Sequence, residues 1–312
     1  MSTLTFSITP EQDGRRLSRL LRTDCRCSAR LVKQLKYLPD GILLDGVRAF
    51  LDQRVSAGQR LILRLPPDPP SDIVPCEGPL DILYEDEHLL VVNKPPYVPV
   101  HPGPGHHEDT LGNFLTWHYL QNGTPHIYRP VNRLDRSTSG LMCVAKDGYT
   151  QELLKLQLHT QTFSRIYAAC CHCFVPLVQH FVNTPIARQK DSVLKREIRP
   201  DGAPALTYFQ VLERRGDRAL LALKLATGRT HQIRVHMASI GWPLLGDFLY
   251  GQEEPDVIGR TALHSWHLSF LHPVTGGNLE FTTPPPADFT ALFPHYRYPD
   301  PATLDFGKDT SC

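Results

Sequence analysis

Pro130-Val131-Asn132-Arg133-Leu134-Asp135-Arg136-Ser137-Thr138-Ser139-Gly140-Leu141 sets a charged, hydroxyl-rich turn between hydrophobic segments. Leu141 to Ala145 reads as the strand that leaves the turn. Asp135 stands between Arg133 and Arg136. Cationic neighbours favour the charged form of a carboxylate. A charged carboxylate serves as general base or nucleophile. Taken alone, however, the stretch favours the plainer reading of an ion pair that closes a turn.

A second stretch lies further on: Ala226-Thr227-Gly228-Arg229-Thr230-His231-Gln232-Ile233-Arg234-Val235-His236-Met237. Leu221, Leu223 and Leu225 alternate before it, as on a half-buried strand. Gly228 breaks that pattern, and Ile233 and Met237 start a helix with Arg234 on another of its faces. Gly228 to Arg234 is therefore a strand-to-helix junction, where backbone N–H groups are free for an anion. Two arginines, two histidines and a glutamine in so few positions are costly to bury for packing alone. A phosphate or carboxylate partner explains them.

The rest of the chain supplies a frame for these two stretches. Its 312 residues suggest two domains, and the 41% of apolar residues suffices for a sizeable core. No apolar run is long enough to cross a membrane. Residues 1–10 lack a basic segment followed by an apolar block, so a cytoplasmic location is expected. The eight cysteines read as reduced thiols. The spacing of Cys170, Cys171, His172 and Cys173 does not suit a structural metal site, and Ile166 to Val175 reads as a buried strand.

Pro66, Pro67, Pro69 and Pro70 make residues 66–75 a stiff, extended linker. Before it, residues 1–65 form a small unit with two short helices and two short strands. Ser28 is the N-cap of the second helix. Residues 1–60 carry 11 Lys or Arg against 6 Asp or Glu, a difference of +5, in a chain whose formal charge is only +1. Arg26, Arg30, Lys33 and Lys36 recur at about one-turn spacing along that helix, as a solvated face or as a phosphate-contacting stripe. After the linker, strands and short helices alternate over residues 76–290 without regular βαβ repetition. That pattern predicts an α+β fold around a mostly antiparallel sheet. A helix is expected near Thr110, and residues 291–312 read as a loosely held tail.

The two charged stretches also carry a resemblance. Arg133-Leu134-Asp135-Arg136-Ser137-Thr138-Ser139-Gly140 resembles the catalytic motif of the RluA-type pseudouridine synthase family. Gly228 to His236 is similar to that family's later arginine motif. Ile82 to Glu87, followed by Val92-Asn93-Lys94-Pro95 and His101-Pro102, is similar to its opening motif. Ala262-Leu263-His264 through Phe270-Leu271-His272-Pro273 is similar to its closing one. The four blocks occur in the family's order over about residues 80–275. Residues 1–65 resemble, less closely, the ribosomal-protein-S-four-like RNA-binding module (the alpha-L motif) that often precedes this catalytic domain. Asn132 departs from the pattern by standing where a histidine is frequent.

The resemblance implies a pseudouridine synthase fold with a catalytic cleft. It implies an isomerase that needs no cofactor and no metal, and that acts on a uridine flipped out of structured RNA. Asp135 is then the catalytic carboxylate, attacking covalently or removing a sugar proton. Arg234 is its ion-pair partner, and Tyr167 stacks on the uracil. Arg133 fills the gap the base leaves. Arg136, Arg229, His231 and Gln232 are further candidates for contact with RNA or base, as are Arg30 and Lys33 on the N-terminal unit; the alternative for His231 and Gln232 is support of the loop. Large-subunit ribosomal RNA is the expected substrate and a monomer the expected state. The alternatives are a transfer RNA substrate and a non-catalytic RNA-binding relative. A metal hydrolase built on His101, His106, His107 and Asp109 is a further rival, disfavoured because those residues sit on no rigid element.

Overall fold

Apolar runs with no polar alternation make the centre of the molecule. Ser139–Ala145 is buried at every position, as a strand covered on both faces must be. The computed structural model describes residues 3–160, 162–173 and 180–306. The strands are β1 Thr3–Ser7, β2 Ile42–Leu44, β3 Val47–Arg48, β4 Arg60–Arg64, β5 Ile82–Glu85, β6 Leu89–Lys94, β7 Arg129–Pro130 and β8 Ser139–Ala145. They continue with β9 Ser164–His172, β10 Phe181–Asn183, β11 Ile186–Arg188, β12 Arg196–Ile198, β13 Leu206–Arg215, β14 Arg218–Leu225, β15 Leu263–Leu271 and β16 Asn278–Thr282. The helices are α1 Leu17–Thr23, α2 Ala29–Tyr37, α3 Leu111–Gln121, α4 Gly148–His159, α5 Gln232–Ser239 and α6 Ala287–Thr290. None of these helices is long and apolar enough to cross a membrane.

The large sheet runs β10-β13-β14-β9-β15-β8-β6-β5, with β16 added to β15 and β7 to β8. Among the described residues its ladders are antiparallel except where β8 meets β15. The fold is thus α+β around a mostly antiparallel sheet. Alternation along β9 divides the core. Tyr167, Ala169 and Cys171 join the layer that holds α3 and α5. Ile166, Ala168 and Cys170 join Trp266, Phe289 and Phe293 on the other face. The cysteines therefore act as small apolar side chains, and those described are free thiols. The strand ends at His172, three residues before the expected end; Val175 lies outside the described residues.

The N-terminal unit forms its own sheet, ordered β1-β4-β2-β3. Ser28 caps α2 by accepting the Leu31 N–H at 3.2 Å, and Leu31, Val32 and Leu35 face inward. Arg26 precedes the helix in a left-handed conformation (φ 51°), so the helical part of the basic stripe is Arg30, Lys33 and Lys36. This unit does not hang free. Tyr149 and Leu153 of α4 complete its core, and the Tyr149 hydroxyl donates to the Cys25 carbonyl at 2.9 Å. The proline segment is anchored too: Asp68 accepts from Arg129 Nη1 at 2.7 Å and from the Ile127 N–H at 3.2 Å.

The end of the chain differs from the loose tail that its composition suggests. Leu292 and Phe293 are buried, and Tyr296, Tyr298, Leu304 and Phe306 pack on the same cluster. The Tyr298 ring meets Trp266 edge-on at 5.5 Å. Polar spacing hid four anchors of docked chain; residues 307–312 lie outside the described part.

One glycine decides how β8 enters the sheet. Gly140 has φ +107°, and a Cβ there would run into the backbone of Ser265 on β15. Gly140→Ala adds a steric clash to a backbone conformation that already disfavours side chains by about 1–2 kcal/mol. The variant is expected to lose at least that much stability in urea unfolding. A loss below 0.5 kcal/mol, roughly the size of a neutral surface change, would contradict this packing.

Candidate active site

The segment between β7 and β8 carries Asp135, and side chains from distant parts of the chain hold it. Asn132, buried, accepts the Cys143 N–H of β8 through Oδ1 at 2.9 Å. Lys94, also buried, donates from Nζ to the carbonyls of Pro95 (2.7 Å), Val98 (2.8 Å) and Arg136 (3.2 Å). It ties the segment to the loop after β6. Burial pushes the Lys94 ammonium down to about 7, against the pull of Asp135.

Arg234 reaches Asp135 from α5. That helix is buried from Gln232 to Met237, so Arg234 does not occupy a separate exposed face but is itself only 2% exposed. Its Nε and Nη2 grip Asp247 at 2.8 and 2.7 Å, and its Nη1 donates to Asp135 Oδ2 at 3.0 Å. Asp247 has no exposure and also accepts the Leu249 N–H at 3.0 Å and the Tyr250 N–H at 3.2 Å. The guanidinium centre lies 5.2 Å from the Tyr250 ring. Burial opposes its charge, but the bonds to Asp247 and the field of Asp135 prevail and raise its pKa. One carboxylate thus fixes the arginine, and the arginine fixes the other carboxylate.

His231 addresses the remaining oxygen of Asp135. It begins α5 in a left-handed conformation (φ 57°), and its Nε2 stands 3.7 Å from Asp135 Oδ1. Its Nδ1 is 2.9 Å from the Tyr250 hydroxyl, which accepts the Arg196 N–H at 2.8 Å. Burial lowers the His231 pKa, while Asp135 pulls it the other way.

These groups open on a cleft of about 640 Å³ whose walls include Arg133, Asp135, Arg165, Tyr167, Arg229 and Arg234. Tyr167 projects from β9 with its hydroxyl pKa raised by burial. Arg133 and Arg229 are exposed at the edge, Arg229 donating from Nε to the Pro204 carbonyl at 3.0 Å.

Two expected contact residues, Gln232 and Arg136, are turned to other partners, while Arg30 and Lys33 lie on the N-terminal unit, as expected, and outside the cleft. Gln232 borders the cleft, but its amide is fully used. Oε1 accepts from Thr227 Oγ1 and the Arg229 N–H, and Nε2 donates to the Leu206 carbonyl and Thr207 Oγ1. Two donors and two acceptor sites are all an amide has, so Gln232 stitches the junction and has nothing left for RNA. Arg136 turns away from the cleft to His106 Nε2 at 3.1 Å, and His106 Nδ1 meets Asp109 at 2.6 Å. Arg30 lines a separate cavity of about 510 Å³ between α2, the proline segment and α4. Lys33 is exposed outside both cavities. Among the described residues no three His, Cys, Asp or Glu side chains are grouped to hold a metal.

Asp247, Lys94 and Arg165 carry no role that the sequence alone suggests. Lys94 had a signal, a lysine ending an apolar strand. Asp247, in Leu245-Gly246-Asp247, looks like any acidic turn residue.

Residues 88–239 match the family model described as RNA pseudouridylate synthase. An uncharacterized RNA pseudouridine synthase of Bacillus subtilis, YjbO, is 41% identical over 85% of this chain and 94% of its own length. A protein of Zymomonas mobilis named ribosomal large subunit pseudouridine synthase D is 34% identical over 94% of this chain and 97% of its own. The solved structure of human RNA pseudouridylate synthase domain containing 1 superposes with a TM-score of 0.54 at 28% identity. It covers 69% of this chain and 86% of that one.

The linked carboxylates give a stability test. Arg234→Ala would leave Asp247 buried and unpaired, and breaking such a pair costs about 3–5 kcal/mol. Asp135→Asn leaves the Arg234–Asp247 pair intact and removes one charged hydrogen bond at a partly exposed group, a loss of no more than about 1–2 kcal/mol. Urea unfolding of the two variants side by side measures the difference; equal losses would contradict the pairing.

Proposed function

The chain belongs to the RNA pseudouridylate synthase family, and on that premise we propose that it modifies large-subunit ribosomal RNA with Asp135 as its catalytic carboxylate. It is an isomerase that converts uridine in RNA to pseudouridine. In that conversion the bond from uracil N1 to sugar C1′ breaks, the base turns over, and C1′ bonds to C5. C5 gives up a proton and N1 gains one, so atoms balance without a redox partner.

The observation that carries the residue assignment is the ion-paired Asp135 at a cleft walled by the Tyr167 ring. Arg234 holds Asp135 in one orientation, because its own position is set by Asp247. Tyr167 offers an aromatic face to a flipped uracil, the usual way such a base is read. Arg133, exposed at the edge, fills the space the base leaves in the RNA. Arg229 contacts the backbone beside it.

Two observations favour ribosomal RNA. Relatives at 34% and 36% identity, from Zymomonas mobilis and Pasteurella multocida, are named ribosomal large subunit pseudouridine synthase D. The N-terminal unit also presents Arg30, Lys33 and Lys36 on an exposed helix face. We assign residues 1–65 to an S-four-like RNA-binding module and 66–75 to a linker. The catalytic unit begins at 76 and, with the docked segment, extends to 306. The protein acts as a monomer in the cytoplasm.

Asp135→Asn is expected to abolish tritium release from RNA labelled at uridine C5 while leaving RNA affinity within about threefold. The reason is that phosphate contacts rather than one carboxylate supply the affinity. Turnover by the purified variant would remove Asp135 from its role. Wild-type release from a transfer RNA transcript but not from a large-subunit transcript would overturn the substrate. Arg30→Gln with Lys33→Gln should weaken RNA binding and lower its log–log salt slope by about 0.7–0.9 per lost phosphate contact. An unchanged slope would free α2 from that role.

A further inference from the structure

Arg165 is only 6% exposed, yet it has no carboxylate within ion-pair distance among the described residues. Among the described residues its one hydrogen bond is a long one, from Nη2 to the Thr227 carbonyl at 3.4 Å, and its Nε has no partner. The other buried arginines are treated differently. Arg234 grips Asp247 through two bonds, and Arg260 grips Asp288 through two. A buried charge without a counter-charge is among the costliest arrangements in a folded protein. The Arg165 side chain borders the cleft, so an anion entering there would find it.

The surroundings suit an anion. Gly228 lies so close that a Cβ on it would sit 2.8 Å from Arg165 Nη1; the glycine leaves the guanidinium open on that side. The backbone N–H groups of Gly228 and Thr230 donate to no protein acceptor among the described residues. Arg165 and Tyr167 stand two residues apart on β9, so both project from the same face about 7 Å apart. That spacing is comparable to the distance between a nucleobase and its own phosphodiester.

We propose that Arg165, with the open backbone of Gly228 and Thr230, is the binding site for the phosphodiester that flanks the flipped uridine. The proposal deepens the reading of the cleft as the place where RNA is modified. In the free protein the guanidinium has no counter-charge among the described residues. When the nucleotide enters, the phosphate supplies the missing counter-charge with charge-assisted hydrogen bonds. Part of the binding energy of correctly placed RNA is thereby spent at the reacting nucleotide.

The test uses inorganic phosphate, so it does not depend on which RNA is the substrate. Thermal unfolding of the full chain is followed in chloride and in phosphate at equal ionic strength. Wild type should gain melting temperature in phosphate by ligand linkage. Arg165→Met should lose most of that gain and, in chloride, should melt at or above the wild-type temperature, because the unpaired charge is gone. Arg165→Lys keeps a charge without the planar fork and should keep part of the gain. With RNA, Arg165→Met should lower the log–log salt slope by about 0.7, one single-strand phosphate contact. An equal phosphate gain in wild type and Arg165→Met would overturn the assignment. So would an Arg165→Met protein that melts below wild type in chloride, since the guanidinium would then be structural. If the phosphate result holds and no ribosomal transcript is modified, the substrate reading fails and the anion site stands.

Discussion

A single guanidinium, that of Arg234, joins the parts of the molecule that make the site. It is held 13 residues away by Asp247 and reaches Asp135 across 99 residues of sequence. For this to happen α5 must be packed against the sheet through Ile233 and Met237, so that Arg234 enters the interior rather than solvent. The Gly228 to His231 junction must turn the chain sharply after β14, which Gln232 secures with its four hydrogen bonds. Asp247 must be sealed from water, and it is. The pair costs desolvation at both ends and is weak support for stability as such. It specifies one geometry, in which the arginine fork has no second place to go.

The Asp135 side is fixed by different means. Lys94 ties the carbonyl of Arg136 to those of Pro95 and Val98, and Asn132 ties the same segment to β8. Gly140 then lets β8 start hard against β15. Asp135 therefore sits between two elements of the sheet and one helix, each rigid for its own reason. A carboxylate held this way keeps its position when the cleft fills, and for a group in the proposed role of Asp135 a displacement of about 1 Å can cost about 10²-fold in rate. The N-terminal unit shares this rigidity. Tyr149 and Leu153 of α4 belong to its core, and His159 at the end of the same helix borders both the cleft and the cavity beside Arg30. The basic face of α2 is thus held at a set distance from Asp135.

How much of this was readable in the sequence depended on whether a residue's reason was local. The cap at Ser28 and the unbroken apolar run of β8 are local, and each formed as its pattern required; the alternation before Gly228 marked a strand, but β14 is covered on both faces rather than half-buried, because Leu220 and Ala222 pack in a second cluster. The motifs around Asp135 and Arg234 were readable by resemblance, and their meeting is a fact of the fold. Asp247 could not be singled out, because its importance lies in burial that only the packing of α5 creates. Gln232 stood as a contact residue or a support of the loop, because a polar side chain among arginines suggests a ligand; its partners are a backbone N–H, a carbonyl and two hydroxyls, up to 26 positions away. The end of the chain misled for the opposite reason. Tyr296, Tyr298, Leu304 and Phe306 are spaced too irregularly for a helix or strand, yet irregular chain can dock through single side chains.

The arrangement of charge in the cleft follows from the nature of the ligand. RNA brings a dense array of phosphates, and any arginine free to move would be drawn to them and away from Asp135. Arg234 is protected from that because two carboxylates saturate its charge: three of its five N–H groups already meet carboxylate oxygens, two of them on a buried partner. Its charge is committed before RNA arrives. Arg165 is in the opposite state, buried on the same side of the sheet with its charge uncommitted. Placed in one cleft, a saturated and an unsaturated arginine sort the negative groups between them. The first keeps the protein's carboxylate in place, and the second is left for the anion of the nucleotide. Were both saturated, the cleft would hold Asp135 but give the phosphate no buried partner. Were both free, phosphate would compete with Asp135 for the very group that orients it.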